Sequence, residues 1–363
     1  MNIYEIACSF LGYRYLNNIK LLNDMFGGLE YIFKQKKESL NKIPGIDIKF
    51  INKLTNKTLL ERAEKEQIYL LKNNIKTVFY TDNFFPQRLL NCNDHPILLY
   101  YKGTENFNNK KIISIVGTRD STKYGEDSCN KIISELKHHN LVVISGLAFG
   151  IDIAAHKSAL ANNLVTFGIL GHGLDKTYPT THVKYLPEII EKGGIVTEFH
   201  TKIKPERYHF PQRNRIIAGM CDALIVIEAK KHGGAIITAN IANSYNKDVF
   251  ALPGNIDSLM SEGTNNLIKT NKAVLINSAK DIEYILGWTE EPKANNGIQQ
   301  QILFELSEDE KIFIEIIKSS ESVSIDEISI RTNMQMSKVS AILLDMEFKG
   351  IIKSLPGKRY KIL

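Results

Sequence analysis

The sequence predicts an α/β protein whose central domain is an extended Rossmann-like, doubly wound and mostly parallel sheet. Between Ile112 and Gly287, seven short apolar runs alternate with helical patterns: IISIVG, LVVISG, VTFGILG, GIVTEF, ALIVIEA, DVFALPG and AVLIN. Strands that are apolar at every position are buried on both faces, as in parallel sheets with crossover helices. Helical patterns precede and follow this region, so further domains are predicted on both sides.

The first 80 residues are predicted to form a helical domain of the SAM-like or helix-hairpin-helix type. The segment KIPGIDIKFINKL, residues 42–54, places a Pro-Gly turn between two helical stretches. The amides of such a hairpin can contact a phosphate backbone, but a compact helical docking domain without a ligand explains the pattern equally well. We expect the first 100 residues to be helical and assign residues 81–288 to the Rossmann-like domain.

A linker is predicted over residues 289–301 and a winged helix over residues 302–363. The segment TEEPKANNGIQQQ loses all periodicity and contains Pro, Asn and Gly. Three amphipathic helical segments at 307–320, 324–333 and 336–350 then precede a hairpin with a Pro-Gly turn. Residues 298–363 carry nine Lys and Arg against ten Asp and Glu. This near-neutral balance favours a structural or protein-binding role of the winged helix over sequence-specific binding of duplex DNA.

The composition argues against several classes of protein. No apolar run reaches the length of about 18 residues that a membrane span needs, and the N-terminus has no basic stretch ahead of an apolar one. A cytoplasmic protein is therefore predicted. The four cysteines are far apart without a C-x-x-C pair, which indicates reduced, buried thiols. The net charge of +6 is compatible with a polyanion but does not identify one.

Glycine and arginine follow the carboxyl ends of the predicted strands, where doubly wound sheets bind ligands. After the first strand, Gly117, Thr118 and Arg119 precede a helix that begins near Gly125, a typical phosphate-binding corner without the dinucleotide pattern G-x-G-x-x-G. Glycine lets amides approach a ligand, arginine supplies charge, and Phe149, Tyr178 and Phe210 offer faces to bases. The other predicted site residues are Ser145, Gly146, Gly150, Gly171, Gly173, Arg207, Phe210, Arg213 and Arg215.

No catalytic, metal or cofactor site is predicted. The segment GHGLDKT has Asp175 where the P-loop pattern needs glycine, and no nucleophile stands in a motif context. His156 follows Asp152 by four residues on a predicted helix, a spacing that permits a metal pair or a hydrogen bond. A buried structural hydrogen bond is the favoured interpretation, because the sequence places no third metal ligand.

Seven motifs occur in order over residues 111–287: VGTRDSTKYG, ISGLAFGIDIAAHKSAL, GILGHGLDKTYP, GIVTEF, YHFPQRNRIIAG, ALIVIEAKKHGGAIITANIA and VFALPGNIDSLMSEGTNNLI. Together they resemble the bacterial DNA-processing proteins of the DprA family, also called Smf. The resemblance implies a protein that binds single-stranded DNA, protects it during natural transformation and loads RecA onto it. It further implies a homodimer without catalysis, with single-strand binding protein as a further partner.

The family's Gly-Ser/Thr-Arg motif matches Gly117, Thr118 and Arg119, and its later basic-x-x-Phe element matches Arg207 and Phe210. The resemblance implies that these residues hold phosphate and stack a base. Two positions depart from the family's pattern. Thr180 stands where some members have lysine, so one contact is either missing or supplied by Lys176 or Lys184, and Arg207 stands where lysine is common.

Two other functions compete with this interpretation. Nucleoside phosphoribohydrolases that resemble lysine decarboxylases belong to the same superfamily and carry P-G-G-x-G-T-x-x-E with a catalytic Glu. The comparable segment here, His232 to Asn240, contains no Glu. A transcription regulator acting through the winged helix is disfavoured by the near-neutral charge of that domain.

Overall fold

The computed structural model describes residues 1–108, 111–288, 307–318, 322–349, 351–355 and 358–362. The chain divides into two compact units, Met1–Thr289 and Glu290–Leu363, which are described separately. The predicted linker at residues 289–301 lies outside the described residues. The domain boundary at residue 80 stays a prediction.

The described residues include no helix that is both long and apolar enough to cross a membrane.

The N-terminal segment is helical up to residue 72. Its helices are α1 Ile3–Ser9, α2 Leu16–Phe26, α3 Leu29–Phe33, α4 Lys37–Leu40, α5 Ile48–Leu54 and α6 Thr58–Lys72. The predicted Pro-Gly turn lies between α4 and α5, where Gly45 has a φ of 80° that favours glycine. Asp47 then caps α5 by accepting a hydrogen bond from the amide of Lys49.

Within the described part of the first unit, nine strands form one sheet. The strands are β1 Lys76–Phe79, β2 Leu98–Gly103, β3 Ile112–Val116, β4 Val142–Ser145, β5 Val165–Ile169, β6 Gly194–Thr197, β7 Ala223–Val226, β8 Asp248–Ala251 and β9 Val274–Leu275. Their order is β1-β2-β6-β5-β4-β3-β7-β8-β9. The predicted strands from β3 to β9 are all present and all run parallel. The mostly parallel, doubly wound sheet is therefore confirmed.

The expectation that the first 100 residues are helical is wrong at β1 and β2. These strands pair antiparallel with each other, and β2 pairs antiparallel with β6. The register joins Lys76 to Tyr101, so strands from both sides of the predicted boundary at residue 80 belong to one sheet. β2 is an apolar run whose first four residues are all buried.

Helices cover both faces of the sheet. They are α7 Gln87–Leu90, α8 Lys123–Leu136, α9 Ile151–Ala161, α10 Leu186–Lys192, α11 His209–Gly219, α12 Gly234–Ser244, α13 Glu262–Lys269 and α14 Ala279–Ile285. Residues of β3 point alternately to the two faces of the sheet. Ile113 and Ile115 pack with α8, α9 and α14 on one face, whereas Ile112 and Val116 pack with α11 and α12 on the other. A helix–sheet–helix sandwich results.

The N-terminal helices share the hydrophobic core of the sheet on the α11 and α12 side. Polar contacts also join the two regions. The hydroxyl groups of Ser9 and Tyr100 lie 2.8 Å apart, and the buried carboxylate of Glu66 accepts hydrogen bonds from the amide, at 2.8 Å, and the hydroxyl of Thr201. The helices and the sheet therefore form one packed body.

The second unit has the three helices and the wing of a winged helix, as predicted. Its described elements are α15 Glu308–Lys318, β10 Val323–Ser324, α16 Ile325–Thr332, α17 Met336–Phe348, β11 Ile352–Leu355 and β12 Arg359–Ile362. The strands form an antiparallel sheet in the order β10-β12-β11. The predicted Pro-Gly turn of the wing, at residues 356–357, lies outside the described residues.

Candidate functional site

A cleft of about 520 Å³ opens at the carboxyl ends of β3, β4 and β7. In the chain β3 is followed by β4, but in the sheet it lies between β4 and β7, so the strand order reverses at β3. Doubly wound sheets bind ligands in the crevice outside such a reversal, because the loops there turn away to opposite faces. The topology thus places the cleft where the sequence predicted a site.

The corner after β3 is packed tightly against the start of α9. A Cβ on Gly117 would lie 2.4 Å from the Ile151 side chain, and a Cβ on Gly150 would lie 2.2 Å from the carbonyl oxygen of Thr118. Gly150 also has a φ of 74°, which glycine adopts without strain. The Thr118 amide donates to the carbonyl of Glu228 at 2.7 Å. The glycines therefore hold the corner rigid by allowing close packing within the protein.

Glu228, at the end of β7, fixes the beginning of α8. Its carboxylate accepts hydrogen bonds from the amide of Thr122 at 2.9 Å and from the Thr122 hydroxyl at 2.6 Å. The same hydroxyl accepts the amide of Gly125 and so caps the helix. Residues 117–122 are consequently held at both ends, and the side chain of Arg119 extends from them, exposed at the rim of the cleft.

An aromatic strip of Phe149, Tyr178 and Phe210 lies beside Arg119. The Arg119 guanidinium lies over the Phe210 ring at 5.3 Å from its centroid, and the Tyr178 and Phe210 ring centroids are 5.9 Å apart. A Cβ on Gly171 would lie 3.2 Å from the Phe210 ring, so glycine lets this ring approach the backbone. Phe149 is 44% exposed and Tyr178 is 41% exposed, which leaves both rings accessible to a planar ligand.

Positive charge lines the same cleft. Arg119 and Arg207 are exposed and face it from the corner after β3 and from the segment before α11. Lys230, directly after β7, is also exposed, but its ammonium group pairs with the Asp120 carboxylate at 2.6 Å. The cleft therefore combines flat apolar faces with cations, an arrangement suited to phosphates joined to aromatic bases.

The structure corrects the predicted role of Arg213, which is 3% exposed. Its guanidinium donates to the carbonyl oxygens of Gly146, at 2.6 Å, and Ile169, beside the buried Asp152 carboxylate. Burial lowers the pKa of Arg213 to about 10, which still leaves the side chain charged at neutral pH, and burial raises the pKa of Asp152. Arg213 lines the floor of the cleft and holds the ends of β4 and β5.

Arg215 lies outside the cleft, which is a second correction. Its guanidinium pairs with Glu198, donates to the carbonyl of Asp94, and lies over the Tyr13 ring at 4.1 Å from the centroid. It is two residues from Arg213 on α11, a rotation of roughly 200° about the helix axis, so the two side chains leave on different sides. Arg215 joins the sheet to the N-terminal helices.

Three further predicted residues use their polar groups inside the protein. The Ser145 hydroxyl donates to the carbonyl of Ile115 at 2.6 Å, and the Gly173 amide donates to the carbonyl of Ile203 at 3.2 Å. Gly146 is buried under Arg213 and Asp152, where a Cβ would lie 2.2 Å from the guanidinium. Of the predicted site residues, the described lining of the large cleft includes Gly117, Thr118, Arg119, Arg207, Phe210 and Arg213.

His156 is a buried structural residue, although its partner is not Asp152. Its Nδ1 lies 2.7 Å from the hydroxyl of Thr166 on β5, whereas Asp152 accepts a hydrogen bond from the amide of Ala148. Although the four-residue spacing on α9 places both residues on one face, each side chain therefore has a different hydrogen-bond partner. Burial lowers the pKa of His156 to about 3, so the ring is neutral.

Models of known protein families match most of the chain. The model described as DNA recombination-mediator protein A matches residues 76–286, and the model described as DprA winged helix domain matches residues 299–358. The first match alone covers more than half of the 363 residues. The chain belongs to the DprA family.

Relatives in this family support the assignment. Protein Smf from Synechocystis sp. is 32% identical, with 94% of each chain covered. The crystal structure of DprA from Streptococcus pneumoniae superposes with a TM-score of 0.66 at 30% identity and covers 78% of this chain and 98% of its own. A DprA structure from Helicobacter pylori, described as showing its single-stranded DNA binding mode, has a TM-score of 0.54 at 29% identity and covers 59% and 96%. The resemblance inferred from the motifs is confirmed.

Several cleft residues of this DprA protein were missed by the sequence reasoning. Lys230, His232, Gly234 and Ile237 line the cleft from the end of β7 and the start of α12. The signal was present in the sequence, since Lys230 and His232 closely follow the apolar run ALIVIEA and Gly234 begins the next helix. Since β7 lies beside β3 in the parallel sheet, the residues after β7 belong to the same ligand-binding edge as Gly117 and Arg119.

In the winged helix of this DprA chain, the basic side chains of Lys338 on α17 and of Lys349 directly after it form ion pairs within the domain. Lys338 forms an ion pair with Asp309 at 2.8 Å, and Lys349 forms ion pairs with Glu310 and Asp345, both at 2.7 Å. Such pairing lowers the net attraction of this helix for phosphates. The cations of the cleft in the first unit are therefore the better candidates for binding nucleic acid.

Proposed function

We propose that this protein binds single-stranded DNA in the cleft and loads RecA onto it, as a non-catalytic, cytoplasmic homodimer in natural transformation. One observation carries the binding proposal: Arg119 lies over Phe210 beside Tyr178, at the rim of a cleft that Arg207 also lines. Cations contact phosphates of any sequence, and aromatic faces stack any base. Single-stranded DNA offers both partners at once, whereas duplex DNA hides the faces of its bases.

Membership of the DprA family supports the proposal. The matching family is described as a recombination mediator, and the Helicobacter pylori relative is described as binding single-stranded DNA. RecA loading, an interaction with single-strand binding protein and dimerisation rest on the resemblance to this family.

The alternative function is that of a nucleotide-processing hydrolase of the same Rossmann-like superfamily. Its motif needs a Glu near the start of the helix that begins here at Gly234, and residues 232–240 contain none. Turnover of ATP, nucleoside monophosphates or DNA by the purified protein, lost on replacing Arg119, would favour the hydrolase.

We expect single-stranded DNA to bind at least about 10-fold more tightly than duplex of the same sequence. If Arg119, Arg207 and Lys230 each contact a phosphate, the logarithm of the binding constant should fall with the logarithm of salt concentration with a slope of about −2. Fluorescence anisotropy of labelled oligonucleotides measures both quantities. Arg207→Ala should reduce the slope by about 0.7, while Lys131→Ala, on the exposed side of α8, should not change it. Equal or tighter binding of duplex contradicts the proposal.

RecA loading is tested with DNA already coated by single-strand binding protein. We expect the wild-type protein to accelerate formation of filaments by the species-matched RecA several-fold, and a variant that cannot bind the strand to have no effect. The measurement is RecA-dependent ATP hydrolysis on the coated strand. Absence of acceleration by a protein that binds the bare strand normally would refute the loading role and leave the binding role standing.

The winged helix is expected to contribute little to binding of single strands. A chain of residues 1–288 should keep its affinity for single-stranded DNA within about threefold of the full chain, since the cleft belongs to the first unit. Anisotropy of the two chains at matched salt checks this expectation. A loss of nearly all affinity in a folded 1–288 chain would move the principal site to the winged helix.

A further inference from the structure

A cluster of two histidines and one glutamate lies at the opposite edge of the sheet from the cleft. His138 and His139 belong to a 3₁₀ turn, Lys137–His139, that follows α8 and precedes β4, while Glu283 lies on α14. The His138 Nε2 is 3.2 Å from Glu283 Oε1, and the His139 Nε2 is 3.0 Å from the same oxygen. The three ligand atoms lie within 4.8 Å of one another.

The hydrogen bonds of His138 leave a lone pair facing Glu283. Its Nδ1 lies 2.9 Å from the carbonyl oxygen of Glu135, and because a carbonyl only accepts, Nδ1 must carry a proton. In the neutral ring Nε2 is then an acceptor, and it faces the carboxylate, which is also an acceptor. A cation between them, either a second proton on the ring or a metal ion, is needed to make this contact favourable. A backbone acceptor on Nδ1 is also the arrangement that orients histidines bound to metals through Nε2.

The spacing of the ligand atoms suits a small tetrahedral ion. Zinc binds His nitrogen at about 2.0–2.1 Å and carboxylate oxygen at about 2.0–2.2 Å, so neighbouring ligand atoms in a tetrahedral site are roughly 3.3 Å apart. The two His–Glu distances are within a few tenths of an ångström of this value. Two imidazoles with one carboxylate favour zinc over magnesium or calcium, which prefer oxygen ligands throughout.

We propose that His138, His139 and Glu283 form a zinc site, with water as the fourth ligand, that ties the end of α8 to α14. One neighbour opposes the ion: the Lys111 ammonium lies 3.2 Å from Nδ1 of His139, where it donates a hydrogen bond. Zinc at Nε2 requires the proton of His139 to be on Nδ1, so Lys111 must move away. It already lies over the Trp288 ring at 5.0 Å from the centroid, which offers the displaced ammonium a partner.

Trp288 provides a built-in probe, since it is the one tryptophan of the sequence. Its ring lies edge to face with His139 at a centroid distance of 5.7 Å. Titration of the metal-free full chain with zinc chloride should change the tryptophan fluorescence with one-to-one saturation, and cobalt(II) should give the visible absorption of a tetrahedral ion. At 100 times the dissociation constant, zinc should raise the midpoint of thermal unfolding by roughly 5 °C.

Variants distinguish a zinc site from a cluster in which a proton on His138, rather than a metal ion, faces the Glu283 carboxylate. His138→Ala and Glu283→Gln should each weaken zinc binding at least about 10-fold, and the His138 side chain is 53% exposed, so its removal should not unfold the chain. Lys111→Gln should bind zinc more tightly than wild type, because it removes the competing cation. Glu191→Gln, at an exposed position away from the cluster, is the control and should bind as wild type. Absence of saturable binding, or binding that Glu283→Gln leaves unchanged, overturns the proposal.

Discussion

Replacing Arg119 and Phe210 together with alanine is expected to lower the affinity for single-stranded DNA on the order of 100-fold without disturbing the fold. Loss of a stacked base costs about 1–3 kcal/mol, and loss of one phosphate contact adds to that cost. Arg119 is exposed, and Phe210 is only partly buried beneath it, so the two alanines leave no large cavity. Anisotropy with a labelled oligonucleotide of fixed length measures the loss.

The single variants Arg119→Ala and Phe210→Ala measure how strongly the two residues depend on each other. Because the guanidinium lies over the ring, each residue positions the other, and the two losses should not add. We expect the double-mutant cycle to give a coupling of about 0.5–1 kcal/mol, the size of an exposed cation–π contact. Lys131→Ala and Phe348→Ala remove an exposed cation and an exposed ring elsewhere and should bind as wild type. A folded double variant that binds as wild type would show that the strand binds elsewhere.

Arg215→Leu is expected to lower the free energy of unfolding by about 3–5 kcal/mol, because it leaves the buried carboxylate of Glu198 without its cation. Both side chains are almost fully buried, at 4% and 7% exposure, so solvent screens the pair little. Urea or thermal unfolding followed by circular dichroism measures the loss. The double variant Arg215→Leu with Glu198→Leu should regain much of the stability, since it removes both charges.

The same variant should become sensitive to pH in a defined direction. Burial raises the pKa of Glu198, and the charge of Arg215 opposes this rise. Without the arginine the folded-state pKa rises further above that of the unfolded chain, so the protonated carboxyl is favoured in the folded state. The stability that the protonated Glu198 carboxyl contributes to the variant is then present at low pH. It is lost as pH rises through the folded-state pKa of Glu198. Stability within 1 kcal/mol of wild type at pH 7 would contradict the structural role of Arg215.

The strands that the sequence predicted correctly are those that coincide with mostly apolar runs. β3 to β9 include apolar runs followed by glycine or polar residues, a pattern with few alternatives in a chain of this length. β1 and β2 were missed because they lie within a segment interpreted as helical, and β1 is short and begins with Lys76 and Thr77. β1 and β2 pair antiparallel with each other, and β2 pairs with β6, almost 100 residues further along the chain.

The sequence predicts the location of a side chain best where its position in the chain determines which edge of the sheet it lies on. Arg119 follows a strand directly, so it had to lie at the carboxyl edge of the sheet. Arg213 and Arg215 lie on a helix, where the direction of each side chain depends on how the helix is rotated against its neighbours. Charged residues are rarely buried, so the sequence favours exposed arginines, and only the packed structure reveals Asp152 and Glu198 as their partners.

The N-terminal helices are synthesised well before most of the strands with which they share a hydrophobic core. Translation adds roughly 5–20 residues per second, so the amide and hydroxyl of Thr201, which bind Glu66, are synthesised about 7–27 seconds after that glutamate. β1 and β2 are made early in this interval, whereas β6, which pairs with β2 in the same core, is made only near its end. We therefore expect part of the apolar surface that the N-terminal helices share with β6 to stay uncovered until residue 197 has been made, which favours aggregation of incomplete chains.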